Sequence, residues 1–559
     1  MAPPQRFSIW RAVCWLSCAL QTVTALSDAP TPENFMRRGL ARTIVLGNYL
    51  YIDGGEVSQL LDNGEFNGPR PSNMVNSTLS IDLTTSWSTS GVAIRSIPKP
   101  APKTAYPAIF LDPASNAFYS WGGKFTYGNV TPAALWKFTA DGSGGGSWAP
   151  DQPSNPSLLA QLHPSELGAH TTAASNGLGF LIGGIATRLT ESGRSGSQAV
   201  PGTLTFDTKT KTFGNSSAFF SAISGAAAEF VPTFGPNGMV FVFGGHALDP
   251  AQEPRSGNFP GYDYRNLTFF DPETRQRYWQ VATGDVPPSP RTMLCTAGMA
   301  NAQGGYEVLV FGGENQRDKF KYQDAYVLSL PGFVWTKVGD APGGPRFSQS
   351  CASVGGRQVV SVGGTNTGWE VKDPAPQGLL VFDMTALEWK AGYDAAVGEY
   401  VRAEGIEGWY ASGAMENVTW SSDEVRALFA TSGTAGPEVT PKPGGPGTRE
   451  SSGGGVSAGV IAGGIVGALV GVAAIVAGVW FLLRRKGSKQ DQAAGGENAP
   501  EVVVTEPKYY AYAVEADSES PYTEVSGERE AAELDPHHRM NPVELDAGYY
   551  QQRLSRTEN

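Results

Sequence analysis

Residues 239–245 read MVFVFGG. Five apolar residues run straight into two glycines, Gly244 and Gly245. The same ending recurs: YIDGG closes at Gly55, SWGG at Gly123, FLIGG at Gly184, VLVFGG at Gly313 and VSVGG at Gly364. Successive pairs are 51 to 68 residues apart. One Gly-Gly marks only a turn, but six at this spacing mark a structural repeat. Each pair closes the second of two apolar or alternating runs, and a loop of variable length follows. A third run comes next (STLSIDL, ALWKF, TLTFD, LTFFD, AYVLSL, LLVFD). A fourth carries an aromatic: Trp87, Trp148, Phe213, Trp279, Trp335 or Trp389. Each unit therefore supplies four short strands.

A four-stranded unit cannot bury both faces alone. Six arranged radially cover one another, which is the logic of a β-propeller. Glycine at the end of the second strand permits a sharp turn and close approach of neighbouring chain. The fourth-strand aromatic is expected to fill the wide space near the rim. Diglycine, then Phe-Asp or Tyr, then tryptophan resembles the kelch repeat, whose period is about 50 residues. The resemblance implies an all-β fold, a six-bladed kelch-type β-propeller, within residues 26–395. The units are longer than the tight kelch pattern, and most first strands lack its Arg/His pair. PRTML (Pro290–Leu294) and PRFSQS (Pro345–Ser350) keep the Pro-Arg. A degenerate seventh unit over 391–430 would have no diglycine.

The chain has 559 residues, of which 70 are glycine and 40 proline, as suits a turn-rich β protein. Its net charge of −12 argues against a nucleic-acid partner. At the N-terminus, Arg6 and Arg11 flank a short apolar core that ends in QTVTA, which reads as a signal peptide over 1–25. Val456–Leu483 is uncharged and longer than the ~20 residues that cross a bilayer. Arg484, Arg485 and Lys486 follow it, placing the C-terminus in the cytoplasm. Asn76, Asn129, Asn215, Asn266 and Asn417 stand in glycosylation sequons, all before that span. The expected order is signal peptide (1–25), propeller (26–395), a segment with a short helix at Ser421–Phe429 (396–432) and a flexible stalk (433–455). A transmembrane helix (456–483) and a disordered acidic tail (484–559) complete it. This plan is similar to that of fungal kelch-repeat cell-surface proteins, and it implies a plasma-membrane or secretory-pathway membrane.

Loops on a rigid scaffold are where binding residues concentrate. The long inserts lie between the second and third strands of each unit. They hold Arg188, His246, Arg255, Tyr262, Tyr264, Arg317, Trp369 and Glu370, and the shorter second insert holds Tyr127. Aromatics and arginines are the side chains that anchor contacts. The expected function is capture of a protein or glycan on this loop face, with no cofactor and no catalytic chemistry. A passive adhesion scaffold is an alternative. So is an enzyme similar to galactose oxidase, which would need two histidines, two tyrosines and a cysteine around copper. His163, His170 and His246 are spread over different units. Cys295 and Cys351 stand in adjacent first strands and read either as a disulfide or as two packed thiols. Gly459, Gly463, Gly467 and Gly471 recur every four residues in the span, a stripe expected to let two copies pair. Tyr522 begins a Tyr-x-x-Val of sorting-signal shape in the tail.

Overall fold

The structure, a computed structural model, describes residues 29–430 apart from 217–221, 252, 255–259, 289 and 367. The expected signal peptide, stalk, span and tail, with Gly459, Gly463, Gly467 and Gly471, lie outside the described residues, as does Arg255. Among the described residues no helix is long and apolar enough to cross a membrane.

The described chain is mostly β-strand. Each diglycine unit forms one antiparallel sheet of four strands in chain order. The first sheet holds Arg42–Leu46, Tyr49–Asp53, Ser77–Asp82 and Arg95–Pro98. The second holds Ala108–Asp112, Ala117–Trp121, Leu135–Ala140 and Gly146–Asp151. The third is Ala169–Ala173, Leu178–Ile182, Thr203–Asp207 and Thr212–Ser216. The fourth is Ala227–Val231, Met239–Phe243, Asn266–Phe270 and Arg277–Val281. In the fifth, Cys295–Ala300, Tyr306–Phe311, Ala325–Leu330 and Val334–Val338 gain an outer parallel pairing from Thr283–Gly284. The sixth is Phe347–Ser353, Gln358–Thr365, Leu379–Asp383 and Glu388–Lys390.

Met239–Phe243 and Tyr306–Phe311 are buried along their whole length. That is why the runs before Gly244 and Gly312 are continuously apolar rather than alternating: both faces of the strand are covered. The covering comes from neighbouring sheets. Tyr51 and Phe118 share a cluster between the first and second sheets, and Phe110 and Phe206 one between the second and third. Phe180 meets Phe270, Phe243 meets Trp335, and Phe311 joins Phe382 across the next three junctions. Leu50 and Ile52 of the first sheet cluster with Val360 and Val381 of the sixth.

The starts of the first strands are tied together. Leu40, Tyr106, Leu167, Gly225, Met293 and Ser348 all have positive φ. The amide of Tyr106 donates to Leu40 O (2.9 Å), that of Leu40 to Ser348 O (3.0 Å), and that of Ser348 to Met293 O (2.8 Å). Met293 N then donates to Gly225 O (2.7 Å), and Gly225 N to Leu167 O (2.8 Å). Five hydrogen bonds thus link all six sheets at one level.

The diglycines are required by close approach. Gly363 has φ +75°, and a Cβ there would stand 2.7 Å from Arg38 O, on the chain that leads into the first sheet. We expect Gly363→Ala to cost about 1–2 kcal/mol from the left-handed backbone alone, and more from the contact. Chemical denaturation followed by tryptophan fluorescence measures it, and an unchanged midpoint would remove the packing argument.

Pro-Arg at the approach to the fifth and sixth sheets also has a structural role. Arg291 Nη1 donates to Gly312 O (3.1 Å) and to Asp324 (2.8 Å). Arg346 Nη1 donates to Gly363 O (3.0 Å), and its Nη2 reaches Gly343 O (2.7 Å) and Asp373 (3.1 Å). Each guanidinium grips the first glycine of its own unit's pair and a carboxylate from the following insert.

Three expectations need correction. The fourth strand of the first sheet is Arg95–Pro98, not the segment around Trp87. Trp87–Ser88 instead pairs with Gly392–Tyr393, which follows the sixth sheet, and Trp87 stacks on Tyr393 at 5.3 Å. Trp148, Phe213 and Trp335 are buried as expected, but Trp279 is 52% exposed because no neighbouring sheet covers its side of the strand. No further four-stranded sheet follows among the described residues. Residues 391–430 instead give the helices Glu404–Ala411 and Asp423–Ala430. The second starts where Ser422 Oγ accepts from Val425 N (3.1 Å), a cap at the expected place.

Candidate functional site

Several of the inserts between second and third strands touch their neighbours. Tyr127 Oη of the second lies 3.2 Å from Ser72 Oγ of the first. Phe125 N of the second donates to Leu189 O of the third (2.8 Å). Asp373 N of the sixth donates to Met36 O, in the strand that precedes the first sheet (2.7 Å). Phe35–Gly39 pairs with Glu56–Gln59 of the first insert, and Ile185 and Ala199 of the third pack with Leu248 of the fourth, so the inserts of the sixth and of the first to fourth sheets are joined.

Across the inserts the expected residues divide by burial. Arg188, Arg317 and Glu370 are exposed. Tyr127, Tyr262 and Trp369 are half-buried and fixed by packing. The guanidinium of Arg70 lies 4.1 Å over the Tyr127 ring, and Trp369 lies against Gly39. His246 and Tyr264 do not belong to the surface. His246 is 4% exposed in a short pairing with Ser224, and burial pushes its pKa down. Tyr264 is 1% exposed in the core, its ring 5.9 Å from that of Trp335, whose Nε1 donates to Tyr264 O (3.0 Å). Burial holds its hydroxyl well above the usual tyrosine range. Both residues lie where the chain turns inward to rejoin a strand, so polarity of the surrounding loop misleads. The structure adds Phe320, 57% exposed at the edge of a two-residue hairpin beside Arg317. An aromatic inside an insert was its only sequence signal. Asn76, Asn129, Asn215, Asn266 and Asn417 are all exposed, as glycan attachment requires.

A second feature is a cavity of about 280 Å³ lined by the first strands of all six sheets. Arg42, Ile109, His170, Glu229, Cys295 and Ser350 each contribute from a different sheet. Cys295 and Cys351 are bonded to each other across adjacent sheets in this wall, with Cα atoms 5.4 Å apart. Tyr306 donates to Glu229 (3.2 Å). Arg42 donates from Nε to Pro107 O (3.2 Å) and from Nη2 to Gly168 O (3.5 Å), with its guanidinium 5.4 Å from the Tyr106 ring centre. Burial pushes the Arg42 pKa down to about 10. Burial, and then the Arg42 charge, hold His170 well below the usual histidine value, so its imidazole is neutral at pH 7.

A copper centre like that of galactose oxidase does not fit these residues. His170 lines the cavity, His246 is buried behind an insert, and His163 is on the surface against Glu191 (3.1 Å) and Arg194 (3.0 Å). The two cysteines are joined to each other, which leaves neither for a thioether to tyrosine. Among the described residues no group of three His, Cys, Asp or Glu side chains could hold a metal ion. No family model matches this chain, and no curated protein matches it.

Proposed function

We propose that this chain is a single-pass protein of the cell surface or secretory pathway whose six-bladed, kelch-like β-propeller captures a protein or glycan on its insert face. One observation carries the reading. Six four-stranded sheets share one cavity at their first strands and bring the inserts of the sixth and of the first to fourth sheets into contact. Clusters between consecutive sheets, and between the sixth and the first, support the radial arrangement. Exposed sequons support a lumenal or extracellular setting. Pairing of two copies through the glycine stripe of the span belongs to the same reading.

The two helices that follow the sixth sheet pack on turns away from the inserts. Leu428 O accepts from Gly235 N (3.1 Å), in the turn between the first and second strands of the fourth sheet. Tyr410 Oη accepts from Gly332 N (3.0 Å), in the turn between the third and fourth strands of the fifth. In an antiparallel sheet those turns lie at the opposite end from the inserts.

The test uses the full chain in nanodiscs on glycan and protein arrays. A ligand captured by the wild type should be lost from a Tyr262→Ala, Phe320→Ala, Trp369→Ala variant by about thirtyfold or more. Its unfolding midpoint should stay close to that of the wild type. Undiminished capture by the triple variant would move the site elsewhere.

A further inference from the structure

We propose that the cavity at the first strands binds a small hydroxylated carboxylate, of sugar-acid size, with Arg42 as its anchor. This inference does not depend on the insert face. Its first support is a contrast among arginines. Arg291, Arg346 and Arg402 each pair with a carboxylate, at 2.8, 3.1 and 2.9 Å. Burying a cation costs free energy unless it is paired, and these three obey that rule. Arg42 has no carboxylate partner among the described residues. Its two protein acceptors are neutral carbonyls, which fix the plane of the guanidinium and leave its charge uncancelled. Glu229, the one carboxylate on the wall, accepts from Tyr306 instead. With His170 neutral, Arg42 is the only cation among the described residues that line the cavity.

The rest of the wall selects the kind of anion. Thr43 and Ser350 form a hydroxyl pair at 2.8 Å, and Thr171, Thr172, Thr296 and Ser353 add further hydroxyls. Neutral imidazole offers one donor and one acceptor. Such a wall matches a ligand bearing several hydroxyl groups, whereas the fixed fork of arginine matches a planar carboxylate. A volume near 280 Å³ lies at the small end of ligand sites. It suits a single sugar ring and excludes a chain of them.

Side chains also meet at the starts of the first strands. Tyr106 Oη donates to Ser348 Oγ (2.5 Å), and Ser348 Oγ contacts Met293 Sδ (3.3 Å), within the hydrogen-bonded level just before the first strands. Tyr106 is buried, and its hydroxyl is pushed up to about 12, so it stays protonated as a donor. Val45, Leu111, Gly298 and Ser353 line the other end, where the first strands run out into their turns.

Titration calorimetry on the full chain in detergent tests the assignment, with glucuronate, glucose and inorganic phosphate as probes. Glucuronate should bind once per chain, and glucose and phosphate each at least tenfold more weakly. Arg42→Gln should weaken glucuronate at least tenfold, the loss of one charge-assisted contact, while Arg277→Gln on an exposed strand leaves it unchanged. Should Arg42→Gln fail to fold, the wild-type preference for glucuronate over glucose and phosphate decides alone. Absence of glucuronate binding at millimolar concentration overturns the proposal. Equal affinity for glucose or for phosphate, or wild-type affinity in Arg42→Gln, overturns it as well.

Discussion

Replacing Arg346 with methionine should destabilise the protein by about 3–5 kcal/mol, the usual cost of removing one partner from a buried ion pair. Arg346 is 1% and Asp373 0% exposed at the side chain. Methionine fills much the same space, so the loss is electrostatic rather than a cavity. Asp373 would keep its hydrogen bond from Ala375 N (3.0 Å) but lose its cation. Gly363 O and Gly343 O would each lose a donor. The carboxylate has a second role. It raises the pKa of Arg37, which burial and the Arg346 charge both lower. Asp373→Asn should therefore be no milder than Arg346→Met, because it leaves two arginines close together without a counter-charge. Combining the two substitutions should cost less than their sum, since they remove one interaction. Denaturant midpoints of the two single variants and the double variant measure this. A loss below about 1 kcal/mol in Arg346→Met would show that the clamp is dispensable.

How much of this could be read beforehand depended on whether the information was local. Each Gly-Gly stands at or near the end of a second strand with both glycines at positive φ, and most of the twelve are also tightly packed. The positive φ is a local constraint that recurs six times, so the sheets were legible, although the first glycine of each pair faces the chain entering the next unit. The fourth strand of the first sheet was not. Trp87 lies in a plausible strand, and what removes it is Tyr393, 306 positions later in the chain. The helix Glu404–Ala411 was missed for a different reason. Gly405 and Gly408 are poor helix formers. Tertiary contacts hold the segment: Ile406 is buried, Arg402 just before it pairs with Glu307, and Tyr410 Oη lies 3.0 Å from Ser329 Oγ.

The candidate sites divide in the same way. Exposure of Arg188, Arg317 and Glu370 follows from their place in polar inserts. Tyr262 and Tyr264 stand two apart in GYDYRN, with nothing local to separate them. Only the position of Trp335 in the next sheet makes one a core residue. Arg42 was the least visible of all. RTIVL reads as an ordinary strand with a charged first residue. That its charge faces a cavity without a carboxylate partner is a property of six strands together, none adjacent in sequence.

The second large effect should come from the Cys295–Cys351 bond. Peptide mapping without reductant should recover the two cysteines in one linked species. Their sequence separation is 56. In the chain-entropy account a cross-link over such a loop stabilises by about 4 kcal/mol, because it removes conformations from the unfolded ensemble. The loop contains nearly the whole fifth sheet, so the bond constrains one complete unit against the next. Cys295→Ala combined with Cys351→Ala should therefore lower the denaturant midpoint strongly while barely altering the native packing. Both residues remain in regular pairings, Cys295 opposite Phe311 and Cys351 opposite Ser361, and alanine suits either position. The cause can be separated from a packing defect. An unfolded chain freed of its cross-link exposes more surface, so the slope of stability against denaturant should rise as the midpoint falls. A packing defect would lower the midpoint at constant slope. Equal midpoints for the double variant and the oxidised wild type would show that the wall of the cavity is held by its hydrogen bonds and apolar contacts alone.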